Sequence, residues 1–308
     1  MLGMGISMRT VLAKEKHEGK KIDKVIRDFF PSLSSGMLFK ALRKKDIKVN
    51  GIRVREDYTV SAGDKIDIYI IDDFLLGKND EGYSVVFDDQ NLMIVNKSPG
   101  IPVHPDKNQT EGTLIDRLQK TYGSELTLCH RLDRNTSGLV IIAKNNPTLE
   151  LMLEKIKSRE ISKFYTCIVS GIMEHKRAEL VDYLEKDENL SRVFISEKRK
   201  RDSQEIITRY EVLRTLGELS LLQVELVTGR TYQIRAHLAY YGHPIIGDGK
   251  YGRNVENKRF NAKHQLLCAS KLNFDFISPS GHLDYLKGQS LSIEPPFSLE
   301  RLMADKKD

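Results

Sequence analysis

The segment HRLDRNTSG at residues 130–138, followed at once by the apolar run LVIIA at 139–143, decides the fold of this chain. The first part places Asp133 between Arg131 and Arg134 in a polar, turn-forming run, and the second part predicts a buried strand. An aspartate between two cations stays ionised at neutral pH. Such a carboxylate at the mouth of a strand can act as a nucleophile or a base. The alternative interpretation is a surface ion pair.

The length and the composition limit the class of protein. The 308 residues allow two domains, or one large domain with an appendage, and 40% of the residues are apolar. The cysteines at 129, 167 and 268 lie far apart without metal-ligand spacing, which favours a reducing compartment. The apolar runs are far shorter than the ~20 residues of a membrane helix. We expect a cytoplasmic protein with no signal peptide, whose translation could start at Met1 or at Met8.

The positive charge of the chain is concentrated near its start. The whole sequence has 49 basic and 43 acidic side chains and a net charge of +6. Residues 9–70 alone hold 15 basic and 9 acidic side chains, so residues 71–308 sum to zero. This asymmetry favours a nucleic-acid-binding appendage on a neutral body, and the alternative is a solvated basic face without a partner.

Residues 9–71 predict a small α/β domain. The pattern indicates helices over 21–30 and 36–45, a hairpin of 47–49 and 52–54 around Asn50-Gly51, and strands over 58–60 and 65–69. The basic side chains at the end of the second helix and on the hairpin are Arg43, Lys44, Lys45, Lys48, Arg53 and Arg55. This arrangement resembles the S-four-like RNA-binding domain first known from a small-subunit ribosomal protein. Such a face suits contacts with the phosphates of folded RNA.

A linker and a larger α+β body follow. Residues 72–84 mix charge, glycine and asparagine, which is typical of a linker, and the body extends over 85–300. The pattern predicts strands over 85–87, 92–96, 139–144, 163–170 and 218–227 and helices over 112–122, 148–158 and 232–241. Because the helices are interspersed among strands that pair, we expect a mixed, largely antiparallel sheet flanked by helices.

Three further segments accompany Asp133. NKSPGIPVHP at 96–105 predicts a rigid loop after a strand, and KFY at 163–165 places Tyr165 at a strand start, where a tyrosine is otherwise a half-buried core residue. The pair GRTYQIRAHL at 229–238 and GHPIIGD at 242–248 places Arg235 on a partly buried helix. An arginine there needs a carboxylate partner, and Asp133 is a candidate. We expect Asp248 to hold the turn around it.

Together, in this order and spacing, these segments resemble the RluA-type pseudouridine synthases, specifically the ribosomal large-subunit branch with an N-terminal S-four-like domain. The similarity extends from about residue 20 to residue 285. The resemblance implies that Asp133 is the catalytic aspartate, that Tyr165 stacks on the target uracil and that Arg235 pairs with Asp133. It also implies a set of substrate-binding residues, namely Arg131 in the gap left by the flipped nucleotide, Leu267 as an apolar wall near the base, and Lys163.

The implied function is the isomerisation of specific uridines to pseudouridine in RNA, with large-subunit ribosomal RNA as the expected target. The reaction breaks the C1′–N1 bond and rejoins the ring through C5 without loss of atoms, so no cofactor and no metal are expected. Asp133 could add covalently to the sugar or the base, or remove a ribose proton to give a glycal. Tyr165 could serve the final proton removal from C5 as base or as relay. RNA is the expected partner of a monomer that does not contact membranes.

The chain departs from the usual family pattern at three places. It has Lys97-Ser98-Pro99-Gly100 where the family commonly has Lys-Pro-Ala-Gly, Tyr232 where it usually has His, and Cys268 where it often has His. Three alternative functions remain open: a non-enzymatic RNA-binding ribosome-assembly factor, a tRNA-directed pseudouridine synthase, and a glycosidase-like hydrolase. The last usually needs two carboxylates about 5–9.5 Å apart.

Overall fold

Two units divide the chain, one ending at Glu81 and the other beginning at Gly82. The computed structural model describes residues 8–30, 38, 41–43, 45–69, 82–105 and 111–306. Of the linker expected over 72–84, residues 72–81 lie outside this description, and Tyr83 and Ser84 already belong to a strand. In the described part, no helix is long and apolar enough to cross a membrane.

The first unit is an antiparallel sheet with an amphipathic helix. Its elements are β1 (Met8–Leu12), α1 (Ile22–Phe29), β2 (Ile47–Val49), β3 (Ile52–Arg53) and β4 (Lys65–Tyr69), in the sheet order β1-β4-β2-β3. Leu38 and residues 41–43 are helical, and the rest of the predicted second helix up to Lys44 lies outside the described residues. The apolar side of α1 packs on the sheet in a core that includes Ile22, Ile26 and Ile66.

The hairpin of the first unit is confirmed, and one of its predicted strands is wrong. Asn50 and Gly51 have φ of 49° and 80°, as the Asn-Gly turn requires. Residues 58–60 form no strand, because Thr59 makes only an isolated bridge to Lys21. The fourth strand is instead β1, whose pairing with β4 the sequence pattern did not predict.

The second unit is built on one sheet of eleven strands. Its elements are β5 (Tyr83–Asp88), β6 (Leu92–Lys97), α2 (Leu114–Tyr122), β7 (Thr127–Leu128), β8 (Ser137–Ala143), α3 (Asn146–Lys157), β9 (Ile161–Ser170), β10 (Arg177–Asp187), β11 (Arg192–Ser196), β12 (Gln204–Leu216), β13 (Leu219–Leu226), α4 (Gln233–Tyr240), α5 (Asn254–Arg259), β14 (Leu267–Phe274), β15 (Ser290–Ser292) and α6 (Leu299–Ala304). The sheet order is β11-β10-β12-β13-β9-β14-β8-β6-β5, with β15 on β14 and β7 on β8. Among the described strands, β14 and β8 run parallel and the other pairs are antiparallel, which confirms the expected mixed α+β fold.

The parallel pair sits at the centre of this sheet, directly after the loop of Asp133. Every residue of β8 is buried, and its side chains enter two cores, one containing Val140 and the other containing Ile141. Burial on both faces explains the continuous apolar run in the sequence. Gly138 has φ 112°, and a Cβ there would lie 2.3 Å from the carbonyl oxygen of Ala269. Only glycine allows β14 to approach so closely.

Helices α2 and α3 begin where local side chains satisfy their free N–H groups. Thr113 and Asp116 form a reciprocal capping box at α2, and the Asn145 side chain accepts a hydrogen bond from Thr148 N at α3. The helix predicted over 148–158 therefore begins at Asn146, and the one predicted over 112–122 begins at Leu114. Six strands of this sheet were not predicted: β7, β10, β11, β12, β14 and β15.

Candidate active site

Asp133 lies in the loop between β7 and β8, at a cavity of about 270 Å³. The loop turns through a hydrogen bond from Thr136 N to Asp133 O of 3.0 Å. The side chain of Asp133 is 23% exposed, so the carboxylate is half-buried but can be reached from the cavity. All six side chains that the sequence assigned to catalysis or to substrate binding line this one cavity: Arg131, Asp133, Lys163, Tyr165, Arg235 and Leu267.

Arg235 binds two carboxylates at once. Its Nη1 donates to Asp133 Oδ2 at 2.8 Å, while Nε and Nη2 donate to the two oxygens of Asp248 at 2.7 and 2.8 Å. The side chain of Arg235 is 8% exposed and that of Asp248 is fully buried. Burial opposes the charge of Arg235, but Asp248 and Asp133 outweigh it and raise the pKa of Arg235. Arg235 therefore stays a cation that orients the Asp133 carboxylate.

Asp248 is the residue whose part in the site the sequence did not show. It does hold the turn, since Oδ1 accepts hydrogen bonds from Lys250 N at 2.8 Å and Tyr251 N at 3.0 Å. Burial opposes its ionisation, but the hydrogen bonds from Arg235 prevail and lower the pKa of Asp248. A buried carboxylate with all these donors is not a second catalytic acid, which argues against a glycosidase-like hydrolase.

Lys97 is a buried cation behind the Asp133 loop. Its Nζ donates to the carbonyl oxygens of Ser98, Ile101 and Arg134, each at 2.9 Å. Burial lowers the pKa of Lys97 to about 7, and the nearby Asp133 carboxylate opposes this shift. Lys97 thus ties the predicted rigid loop, which begins where β6 ends, to the loop of Asp133. The sequence predicted the rigid loop but not the contacts of Lys97 that hold it.

The wall of the cavity is aromatic and apolar. Tyr165 on β9 and Leu267 on β14 are both buried, and adjacent strands bring them to the same cavity. Burial, with a contribution from the Asp133 carboxylate, raises the pKa of Tyr165. The phenol is therefore neutral at physiological pH. A tyrosine ring and an aliphatic side chain beside a carboxylate can hold a planar base next to the reacting group.

His130 lies beside Asp133 and is a structural residue. Its Nε2 accepts a hydrogen bond from Ile141 N at 3.1 Å, which only the neutral ring can do at that nitrogen. Burial and the nearby Lys163 lower the pKa of His130 to about 3. Among the described residues, no group of His, Cys, Asp or Glu side chains could hold a metal ion.

Two tyrosines cover the guanidinium of Arg235. Its Cζ lies 4.8 Å from the ring centroid of Tyr232 and 5.5 Å from that of Tyr251. Lys250 Nζ lies 4.3 Å from the Tyr232 ring, so two cations share that ring. Tyr232 has φ 58°, a left-handed conformation that a tyrosine rarely adopts, immediately before α4. The place where the family usually has histidine thus carries a ring that packs on Arg235.

The residues predicted to bind RNA belong to the first unit. Arg43, Lys45, Arg53 and Arg55 are exposed, and Lys48 is partly buried with its Nζ 4.9 Å from the ring centroid of Tyr69. Lys44 lies outside the described residues. Arg53 and the turn before it belong to the hairpin of β2 and β3.

Comparisons with known proteins agree with this geometry. A family model described as RNA pseudouridylate synthase matches residues 91–240. The chain is 28% identical over 276 residues to an uncharacterized RNA pseudouridine synthase of Bacillus subtilis, covering 86% of this chain and 89% of that protein. It is 31% identical over 279 residues to ribosomal large subunit pseudouridine synthase C of Buchnera aphidicola, covering 84% and 87%.

A solved structure has the same fold. The human RNA pseudouridylate synthase domain containing 1 aligns with a TM-score of 0.56 and 22% identity, over 74% of this chain and 96% of that one. The likeness in fold and the sequence identity to the Buchnera protein over most of both chains agree with each other. This chain is therefore a member of the RNA pseudouridine synthase family.

Proposed function

We propose that this protein converts specific uridines of large-subunit ribosomal RNA to pseudouridine, with Asp133 as the catalytic aspartate. One observation carries the assignment: a half-buried carboxylate held by a buried arginine at a cavity walled by Tyr165 and Leu267. The RNA target rests on the relatives, which include proteins named ribosomal large subunit pseudouridine synthase C and D.

The reaction needs a uridine that has left its stack. Extrusion costs a few kcal/mol, and contacts of the flipped base with Tyr165 and Leu267 offset part of this cost. We assign Arg131, which is exposed at the cavity, to the space that the nucleotide leaves. Lys163 is assigned to the substrate as well, since it lines the same cavity.

Asp133 then acts at the C1′–N1 bond. The carboxylate adds to the sugar or the base, or it removes a ribose proton to give a glycal, and both routes break C1′–N1 and release the uracil ring inside the cavity. The ring turns, C1′ bonds to C5, and the proton of C5 leaves while N1 gains one. Because the pKa of Tyr165 is raised, its neutral phenol acts as a relay in that last proton transfer rather than as a standing base.

Binding and location belong to the same proposal. The basic side chains of the first unit contact phosphates of the RNA as an S-four-like domain does, and the protein acts as a cytoplasmic monomer. The net positive charge of the chain falls in this part of the sequence.

The test is a map of pseudouridine in total RNA from the native host, with and without the gene. We expect pseudouridine to disappear at defined large-subunit positions and to return with the wild-type gene but not with Asp133→Asn. The Asp133→Asn protein keeps nearly wild-type RNA affinity, because the change removes a charge at the cavity and no phosphate contact.

Other outcomes contradict the proposal in specific ways. If deletion of the gene removes pseudouridine from a tRNA, the target is that tRNA and not ribosomal RNA. If the Asp133→Asn gene restores the lost pseudouridine, Asp133 has no part in the mechanism. No lost position in any RNA would favour the ribosome-assembly factor.

A further inference from the structure

We propose that a basic groove beside the active-site cavity binds the phosphodiester backbone of the RNA strand on one side of the target uridine. The basic groove is defined by four cationic side chains: Lys157, Arg159, Lys163 and Arg230. This inference rests on the proposed function, and it adds a binding site within the second unit that is separate from the basic face of the first.

The groove continues the active-site cavity. It has a volume of about 370 Å³ and lies between the segment that joins α3 to β9 and the segment that follows β13. Lys163, Gly229 and Arg230 line both the groove and the cavity. An RNA strand whose target uridine occupies the cavity can therefore leave the cavity through the groove.

The positive charge of the groove is not neutralised by the protein. Within the described ranges, no carboxylate lies at salt-bridge distance from any of its four cations, whereas exposed arginines elsewhere, such as Arg177, do have one. The one acidic side chain in the groove, Glu225, is bound by Arg209 at 3.3 Å. In the described part of the chain, the four cations of the groove have no carboxylate partner, and its one carboxylate is already bound by an arginine. The groove therefore suits an anionic ligand.

Lys163 and Arg159 have features that a solvated surface does not explain. Lys163 is half-buried, and its burial lowers the pKa of its ammonium, which has no acceptor among the described residues. A phosphate oxygen would supply that acceptor. Arg159 has φ 61° just after the end of α3, a position where glycine is the usual residue. The chain thus keeps a long cation in a conformation that favours glycine.

A third cavity gives the strand its second exit. It has a volume of about 340 Å³ and shares Arg131, Asp133 and Arg235 with the active-site cavity. None of its described lining residues belongs to the groove. The groove and the third cavity therefore adjoin the active-site cavity through different residues, which gives a strand in that cavity two separate ways out. This continuity favours RNA over an acidic protein as the ligand of the groove.

The experiment uses the full chain and a fluorescein-labelled uridine dodecamer, whose affinity is measured by anisotropy between about 50 and 200 mM salt. The double variant with Lys157→Gln and Arg159→Gln should bind the RNA roughly tenfold more weakly at the lowest salt concentration. The slope of log affinity against log salt should also become shallower by about 0.7 for each phosphate contact that is lost. The matched control is Lys258→Gln with Lys287→Gln, since these exposed lysines line none of the three cavities. An unchanged slope in the groove variant, or an equal loss in the control, overturns the proposal.

A second readout locates the contact on the RNA. Neutral methylphosphonate linkages are placed one at a time on either side of a single uridine in the mapped target RNA, or in the dodecamer if none is mapped. Wild-type affinity should fall for linkages on one side only, and the groove variant should be insensitive to the same linkages. Equal sensitivity of both proteins at every linkage contradicts the groove. If the protein forms pseudouridine but the groove variant has an unchanged salt slope, the groove is refuted and the proposed function stands. If binding depends on the groove but no RNA contains pseudouridine made by this protein, the proposed function is refuted and the groove stands.

Discussion

At the scale of single residues, Arg235 is one cation shared by two carboxylates in unlike surroundings. Asp248 is fully buried and holds the guanidinium with both oxygens, whereas Asp133 is 23% exposed and takes one hydrogen bond. One positive charge against two negative charges leaves a net negative charge. Asp248 has no access to the cavity, whereas Asp133 lines it. This asymmetry keeps Asp133 oriented by Arg235 but available to react.

We predict that Arg235→Ala lowers the free energy of unfolding by about 3–5 kcal/mol, because the buried Asp248 carboxylate loses its partner. Isomerisation is lost as well, since Asp133 is no longer oriented. Urea unfolding and pseudouridine formation measure the two effects. Adding Asp248→Asn should recover part of the stability but none of the activity. A variant with a wild-type melting curve would contradict the pairing as a source of stability.

The lowered pKa of His130 gives a pH dependence. In the folded state the pKa is about 3, against an ordinary value of 6.5, so the unfolded chain binds the proton first as the pH falls. Stability is present above pH 6.5 and is lost on acidification. Between about pH 7.5 and 5.5, the wild type should lose about 1.4 kcal/mol more than His130→Gln, which keeps an acceptor for Ile141 N. Urea titrations at the two pH values measure this, and equal losses would show that His130 already accepts a proton when folded.

At the scale of elements, the parallel contact between β8 and β14 positions the site. Ser137 pairs with Cys268 and Gly138 with Ala269, immediately after the Asp133 loop and immediately after Leu267. The two strands therefore bring the loop of Asp133 and the apolar wall of the cavity to one place. The close approach at Gly138 is the condition for this arrangement.

Gly138→Ala should destabilise the protein by about 2–5 kcal/mol, because its Cβ meets a backbone carbonyl and the φ of 112° is strained for alanine. Gly123→Ala is the control, since Gly123 has φ 114° but nothing within 4 Å of a Cβ. The difference between the two variants in chemical denaturation isolates the clash. Equal effects would mean that β14 can move away from β8 at little cost.

The sequence predicted the elements whose apolar pattern is simple. The run 139–143 is apolar because β8 is buried on both faces, and the helices over 114–122 and 146–157 have clear periodicity. β10 and β12 alternate buried and exposed positions, but the buried Asp182 and the exposed Val181 in β10, and the buried Thr208 in β12, break the apolar pattern that would have shown this alternation. β14 was missed because a buried serine, Ser270, which bonds Thr166, interrupts its apolar pattern.

In the site too, the sequence predicted the residues whose chemical requirement is simple. Because a buried arginine requires a carboxylate, Asp133 was a candidate partner of Arg235, and the family resemblance implied that the two pair; the structure has that contact. Asp248 already had an explanation in its turn, so the sequence offered no reason to give it a second partner. Lys97 bonds only carbonyl groups, and a sequence pattern does not show which carbonyls converge.

At the scale of the whole molecule, charge is divided between the units. The surplus of basic residues lies in the first unit, while in the second many exposed cations are paired across strands, as Arg209 is with Glu179. Exposed pairs of this kind contribute little stability, but they cancel the field that would attract RNA to the surface on which they lie. The proposed RNA contacts are thus confined to the basic face of the first unit and, in the second unit, to the active-site cavity and the basic groove beside it.

Arg53→Gln with Arg55→Gln should weaken RNA binding and lower its salt slope by about 0.7–0.9 for each lost phosphate contact. Lys20→Gln with Lys24→Gln, exposed on the same unit but away from the hairpin, serves as the control and should change the slope less. Affinity titrations at several salt concentrations with a large-subunit RNA fragment make the comparison. Equal changes in the two variants would mean that the hairpin is not a preferred contact.

The position of β14 in the sheet also governs how the protein is made. β14 is synthesised after the nine strands β5–β13 and is, apart from β15, the last strand of the sheet, yet it lies between β9 and β8. On the ribosome, the nascent chain therefore holds two half-sheets, each with an open edge that can pair with another chain. Asp133 precedes β8 in one half and the helix of Arg235 packs on β11 and β12 in the other, so β14 joins the halves that carry these two side chains. Such late, long-range closure is slow, and the two strand edges stay exposed until it is complete.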